Sequence, residues 1–277
     1  MVFYRASRPT REILMGNDFA SAANTDAPFS GEPSARSVPV GRGASWWSEG
    51  WRLFTPAVGM WLLFAVILFA LNLGLAFIPV IGHLAAQFLF PVLAGGLMLG
   101  CRAVDRGNPL TVGHLFGGFV QNTGPLLLVG LIYTALVFVI VLVVFGLLLA
   151  FFGAAVLRAI ADAGSLDLTN LALGSVFTAF VVGALLFMAL LLPLIMAAWF
   201  APALIVLRNV DAATAMKLSF LACLKNFMPF LVYGIGGIVL AIVASIPFGL
   251  GWLVLGPVTI ATVYASYCDI FEEKAAA

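Results

Sequence analysis

Charged residues are scarce in this sequence: Lys, Arg, Asp and Glu make up 9% of the 277 residues, against about a quarter in soluble domains. So few charges cannot cover a surface that faces water, which excludes a soluble globular protein. The 13 basic and 12 acidic residues leave a net charge of only +1. Without an excess of positive charge, no nucleic-acid partner is expected.

Cysteine and histidine are also rare, with three and two residues. No CxxC pair supports a zinc site, and the predicted topology separates His83 from His114, so the two cannot ligate one haem. A site built on a single histidine is left open. Walker loops, GxSxG, HExxH and EF-hand patterns are missing. The sequence therefore predicts no cofactor, no metal site and no enzyme activity.

Ionisable residues avoid the centres of the apolar runs: Asp105, Asp162, Asp167 and Asp269 all fall at ends or in loops. A charge at the centre of a membrane helix costs about 2.5–3.5 kcal/mol on insertion scales and marks a functional site. A proton-coupled carrier that uses buried carboxylates is therefore not expected, whereas a passive or lipid pathway remains open.

Long hydrophobic runs dominate instead, since 63% of the residues are apolar. A run of about 20 apolar residues crosses a hydrocarbon layer of roughly 30 Å. The sequence thus predicts an all-α integral membrane protein with six spans, at approximately 56–78, 83–103, 124–151, 174–207, 228–246 and 250–270. Pro193 and Pro202 predict a tilt or kink in the long fourth run, and Gly96 and Gly100 form a GxxxG pair suited to close packing.

Basic residues predict the orientation, because they accumulate on the cytoplasmic side. With the N-terminus inside, Arg158 is the one basic residue of 13 on the outer side. Both termini are therefore expected to be cytoplasmic, in a bacterial inner membrane. The domain prediction is a polar, flexible cytoplasmic tail at 1–45 without a cleavable signal peptide, a membrane domain at 46–271 and a C-terminal tail at 272–277. Two apolar clusters in the first tail, Val2-Phe3-Tyr4 and Ile13-Leu14-Met15, are candidates for docking.

A short amphipathic segment followed by proline precedes spans one, three and five, with Pro56, Pro125 and Pro229 at the mouths of the spans. We call these segments elbows. They predict three parallel repeats of an elbow helix and a helical hairpin. Aromatic and basic side chains suit the elbows to the membrane surface, and their predicted interfacial residues are Trp47, Trp51, Phe54, Val112, Phe116, Phe119, Met216, Lys217, Phe220, Leu224 and Lys225. In the third elbow, small residues form a second stripe suited to close packing: Ala215, Ser219, Ala222 and Asn226.

Polar side chains within the spans are few. Asn72 and Gln87 are the conspicuous amides, and Thr259, Thr262 and Ser266 share one face of span six. These residues either line a path for a solute or form hydrogen bonds between helices, which average only about 0.6 kcal/mol each. Hydrogen bonding is the preferred interpretation.

The stretch WFAPALIVLRNVDAATAMKLSFLACLKNFMPFLVYG and the segment GWRLFTPAVGMWLLF resemble repeats of a group of bacterial six-span inner-membrane proteins. That group includes the membrane domain of some glycerophosphodiester phosphodiesterases, and the likeness covers roughly residues 46–271. It implies the fold but no catalytic residue, since residues 1–45 are too few for a catalytic barrel of about 250 residues.

Two functions follow as expectations. The first is a non-catalytic accessory, assembly or scaffold protein whose partners are membrane lipids and, through the cytoplasmic face, another membrane protein or a second copy. The alternative is a transporter or channel for a small or lipid-like solute.

Overall fold

The computed structural model describes residues 34–163 and 168–272, and all regular secondary structure in these two ranges is helical. The two 3₁₀ turns are Thr55–Ala57 and Gly117–Phe119. The α-helices are α1 (Arg42–Phe54), α2 (Val58–Ala76), α3 (Ile81–Asp105), α4 (Val112–Leu115), α5 (Thr123–Ala163), α6 (Leu168–Trp199), α7 (Ala201–Arg208), α8 (Ala212–Lys225), α9 (Phe227–Ser245) and α10 (Trp252–Phe271).

Six described stretches are long and apolar enough to cross a membrane, and each overlaps one predicted span: Arg42–Ala76, Ile81–Asp105, Thr123–Ala154, Phe177–Arg208, Phe227–Ser245 and Trp252–Phe271. The all-α, six-span fold is thereby confirmed. The threefold repeat and the cytoplasmic location of the termini stay predictions. The two N-terminal apolar clusters, Asp167 and residues 273–277 lie outside the described residues.

The fourth span is interrupted at Phe200, between α6 and α7. Pro202 stands in the first turn of α7, where it has no N–H for the carbonyl of Ala198 and its ring opposes a continuous helix. Pro193 is held inside α6. The interruption of the long fourth run therefore lies beside the second of the two prolines, Pro202.

Helices α3 and α10 form the centre of the bundle. In the most apolar window of each, 50% and 56% of the residues are buried, against 6% in α5. The exposed side of α5 carries large apolar residues such as Phe138 and Phe145, which suit contact with lipid. We call the side of the bundle with the elbows the elbow side, and the side with the turns at 77–80 and 246–251 the hairpin side.

The first elbow is α1, and it packs into the bundle rather than lying flat on it. Trp46, Leu53 and Phe54 are buried in the core. A Cβ added to Gly50 would lie 3.0 Å from the Thr262 nitrogen of α10, and one added to Gly43 would overlap the carbonyl of Pro229. Both glycines therefore let the backbone of α1 approach its neighbours.

The second elbow is shorter than its pattern suggests, with one turn of α-helix (α4) and the 3₁₀ turn Gly117–Phe119. Thr111 and His114 form a capping box at its start, with Thr111 Oγ1 2.9 Å from His114 Nδ1. Leu115 is buried, while Val112, Phe116, Phe119 and Val120 are exposed.

The third elbow is α8, whose first turn is capped by Asp211 through a 3.0 Å hydrogen bond from the Thr214 nitrogen. The Thr214 hydroxyl, and then its backbone N–H, lower the pKa of Asp211 because both favour the carboxylate. The predicted small stripe is the packed face, since Ala215, Ser219 and Ala222 are fully buried and Asn226 is 1% exposed. The Ser219 hydroxyl donates to the Met196 carbonyl at 2.6 Å and accepts from the Phe200 N–H at 2.9 Å, so it also binds the backbone at the break in span four.

Residues 34–41, which the sequence assigns to the polar tail, lie against α8 and α10. We call them the strap. Asn226 donates to the Arg36 carbonyl at 3.0 Å and accepts from the Val38 N–H at 2.8 Å. The Arg36 N–H donates to the Ile270 carbonyl at 3.1 Å, and Lys225 donates to the Ala35 carbonyl at 2.8 Å.

Candidate functional site

A cavity of about 550 Å³ lies in the membrane body between α2, α3, α5, α6, α7 and α10. This volume falls within the range of about 300–1,000 Å³ that is usual for small-molecule sites. Apolar side chains form most of its wall. The polar lining residues are Asn72, Gln87, Tyr133, Trp199 and Thr259. Three of the five predicted intramembrane polar residues thus meet at one cavity, although they lie on three different helices.

Two prolines of the cavity wall, Pro91 and Pro202, remove backbone donors beside it. Pro91 stands inside α3 and has no N–H for the carbonyl of Gln87 four residues earlier. Pro202 has none for Ala198, and both Gln87 and Ala198 line the cavity. The prolines therefore deprive these two carbonyls of their usual helical donors.

Among the described residues, the polar groups of the cavity differ in how they are paired. Asn72 donates to the Leu68 carbonyl at 2.9 Å, and Thr259 donates to the Leu255 carbonyl at 2.8 Å. Within the same described part of the chain, the Gln87 amide and the Tyr133 hydroxyl have no hydrogen-bond partner, and the buried indole nitrogen of Trp199 has none either.

Thr262 and Ser266 are used differently from Thr259. The Thr262 hydroxyl is 2.8 Å from that of Tyr233 on α9, and both side chains are buried. Ser266 donates to the Val263 carbonyl of its own helix at 2.9 Å. Each of the two interpretations of this polar face thus applies to a different residue. Thr259 lines the cavity, and Thr262 forms a hydrogen bond between two helices.

Replacing Tyr233 with phenylalanine should remove the bond to Thr262 and lower the free energy of unfolding by roughly 0.6–1.7 kcal/mol, from the average to the maximum measured for hydrogen bonds between membrane helices. The stacking of Trp47 on this ring, at a centroid distance of 4.8 Å, is retained. Denaturant unfolding in detergent micelles measures the change. Ser266→Ala is the control and should leave stability nearly unchanged; an equal loss in both variants contradicts the assigned contact.

A second cavity of about 350 Å³ lies between α2 and α10. It shares Leu68, Leu97 and Ile260 with the first cavity. The polar atoms of its two tryptophans are already paired, since the Trp61 indole donates to the Leu53 carbonyl at 3.2 Å and that of Trp252 to Ser245 at 3.1 Å. The side chains of its wall therefore offer no unpaired indole N–H, and the others are apolar.

The predicted interfacial residues of the elbows fall into three groups. The exposed ones are Trp51, Val112, Phe116, Phe119, Lys217, Leu224 and Lys225, the half-buried ones are Trp47 and Phe220, and the buried ones are Phe54 and Met216. The bulky stripe of the third elbow thus divides, with Met216 in the core and Leu224 exposed. Burial of Phe54 follows from the close packing of α1 on α10.

One cluster on the elbow side was not foreseen from the sequence. The Asp269 carboxylate, 6% exposed, pairs with the Arg42 guanidinium and accepts from the Trp46 indole at 3.1 Å. Arg42 also pairs with Glu49 at 2.6 Å. A second pair, Arg52 and Asp105 at 2.9 Å, is more exposed. A charged residue at the end of a span indicates only where the span ends. The arginine partners of Asp269 and Asp105 therefore could not be predicted from local sequence spacing.

The thiols and imidazoles do not assemble into a centre within the described ranges 34–163 and 168–272. There, no three His, Cys, Asp or Glu side chains are placed to hold a metal ion. Cys101, Cys223 and Cys268 are free thiols. In α8, burial raises the pKa of Cys223 to about 12, which keeps this thiol protonated and unreactive at neutral pH.

Comparison with known proteins finds one informative relative. Over 249 residues the chain is 28% identical to a protein of Burkholderia thailandensis named as a probable inner membrane protein, and the match covers 84% of this chain and 90% of that protein. No family model matches the chain, and no solved structure does so. The chain is thus a helical membrane protein similar to an inner-membrane protein, and its relation to the phosphodiesterase membrane domain stays a prediction.

Proposed function

We propose that this protein binds and passes a lipid-like solute within the bacterial inner membrane. The cavity of about 550 Å³ carries this proposal, because Asn72, Gln87 and Thr259 line it together. The cavity favours a transporter, which the sequence analysis gave as the alternative, over an accessory or scaffold role. The similarity to an inner-membrane protein supports the location. No catalytic step is part of the proposal.

Filling the cavity should remove the bound lipid. Ala94 and Ala198 line the cavity, so Ala94→Trp or Ala198→Trp places an indole in the space. We expect at least a tenfold loss of lipid that co-purifies with the protein in mild detergent, measured by mass spectrometry of extracts. Ala70→Trp is the matched control, because Ala70 is exposed on α2 outside the cavity. Equal lipid content in all three variants would sink the proposal.

An accessory or scaffold role is the second candidate, and the length of α5 favours it. Its apolar part, Thr123–Ala154, has 32 residues and extends roughly 48 Å at 1.5 Å per residue, against a hydrocarbon thickness of about 30 Å. Tilting or contact with a partner would have to cover the excess apolar length. Crosslinking in native membranes through a photoreactive residue at Phe138 distinguishes the two, since a scaffold gives a defined protein adduct and a lipid-facing helix does not.

A further inference from the structure

The cavity offers hydrogen bonds but no charge. Among the described residues that line it, none is Lys, Arg, His, Asp or Glu. An ionic group placed there would be isolated in a low-dielectric site, which is costly without a partner. A phosphate is normally held by Arg or Lys side chains or by clusters of backbone N–H groups.

Two of the unpartnered polar groups, on Gln87 and Tyr133, belong to α3 and α5, whose backbones are in contact at Gly130. A Cβ added to Gly130 of α5 would lie 3.1 Å from both the Cα and the carbonyl oxygen of Phe88, and 3.4 Å from the carbonyl oxygen of Gln87. Tyr133 follows Gly130 by three residues, which is about one turn on the same side of the helix. Gln87 and Tyr133 thus line the same cavity from two helices whose backbones are in contact.

These two groups can serve both halves of a hydrogen-bonding head group. The Gln87 amide donates through nitrogen and accepts through oxygen, and the Tyr133 hydroxyl does either. Unpaired polar groups in hydrocarbon cost several kcal/mol each, so a ligand that pairs them gains affinity.

The second cavity suits the chain of the same ligand. It continues from the first across Leu68, Leu97 and Ile260, and the indole N–H groups of its wall are already paired. The two cavities therefore divide into a hydrogen-bonding part and an apolar part, as an amphiphilic molecule does.

We propose that the solute is an uncharged lipid with a hydroxyl or carbonyl head group, whose head contacts Gln87 and Tyr133 in the first cavity and whose chain extends into the second. This inference rests on the proposed function and narrows it. Phospholipids are disfavoured because their phosphate would meet no cation in the cavity wall.

The test uses the full-length protein in nanodiscs with two photoactivatable probes that share the same acyl chains: a diacylglycerol and a phosphatidylglycerol. Adducts are mapped by mass spectrometry to peptides of α2, α3 and α10. We expect the diacylglycerol to label the cavity peptides at least tenfold more than the phosphatidylglycerol does. Gln87→Leu and Tyr133→Phe should each lower that labelling about three- to tenfold, which is the loss of one hydrogen bond.

Matched controls are Gln121→Leu, at an exposed glutamine outside the cavity, and Tyr233→Phe, whose hydroxyl pairs with Thr262; neither should change the labelling. Equal or stronger labelling by phosphatidylglycerol, or labelling unaffected by Gln87→Leu and Tyr133→Phe, overturns the uncharged class and leaves the proposed function standing. Labelling by both probes that Ala94→Trp does not reduce overturns the proposed function itself.

Discussion

Replacing Asp269 with alanine is expected to lower the free energy of unfolding by about 3 kcal/mol, a loss typical of a broken buried ion pair. Asp269 is 6% exposed and accepts from Arg42 and from the fully buried Trp46 indole. Without the carboxylate, the indole N–H has no acceptor, and Arg42 retains only Glu49. Breaking a buried ion pair typically costs about 3–5 kcal/mol. We expect the low end of this range because the Arg42 side chain is 24% exposed and can be partly rehydrated.

Equilibrium unfolding in detergent measures this loss of stability, and two further variants serve as comparisons. Arg52→Ala breaks the pair with Asp105, whose side chains are 64% and 32% exposed, so it should cost no more than about 1 kcal/mol. Asp269→Asn keeps an acceptor for the Trp46 indole, so its loss of unfolding free energy should lie between those of Asp269→Ala and Arg52→Ala. A cost for Asp269→Ala no greater than that for Arg52→Ala would show that the cluster contributes little.

Gly96→Ala should be nearly as damaging, with an expected loss of about 3 kcal/mol, the upper part of the range for overpacking. The added Cβ would lie 2.6 Å from the His114 carbonyl oxygen and closer still to that of Leu115. These atoms belong to the backbone of the second elbow, which cannot rotate away. The same unfolding measurement applies.

Two other glycines provide the comparison. At Gly100, the added Cβ would meet the Leu110 side chain at 2.8 Å, and a side chain can move, so Gly100→Ala should cost less. A Cβ added to Gly74 would have no other atom within 4 Å, so Gly74→Ala should stabilise the helix by roughly 0.5–1 kcal/mol. Similar losses at Gly96 and Gly100 would contradict the assigned role of the elbow backbone.

The local sequence pattern predicted the structural features that depend on a single segment of the chain. Apolar run length located the six spans, and the period of α8 identified the small face through Ala215, Ser219 and Ala222, which are all buried. The GxxxG pair shows the limit. Its spacing indicates close packing, yet Gly96 meets the elbow backbone, because the partner of a small residue is set by the tertiary fold.

The candidate site was only partly accessible from sequence for the same reason. Asn72, Gln87 and Thr259 were recognised as unusual in apolar helices, but their meeting in one cavity depends on how six helices pack. Trp199 gave no signal, since a tryptophan near the end of an apolar run is ordinary. The partners of Asn226 in the strap lie about 190 residues earlier in the chain, beyond any helical periodicity.

The strap has a further consequence for the connectivity of the membrane body. Its Arg36 N–H lies 3.1 Å from the Ile270 carbonyl oxygen, so the beginning and the end of the six-helix unit are neighbours on the elbow side. Ends that lie close together tolerate circular permutation. A short linker from Glu272 to Ser34 would join them without crossing the bundle, and new termini could be opened in the exposed connection at 106–109. We therefore expect that the order of the six spans along the chain can be changed while their packing is kept.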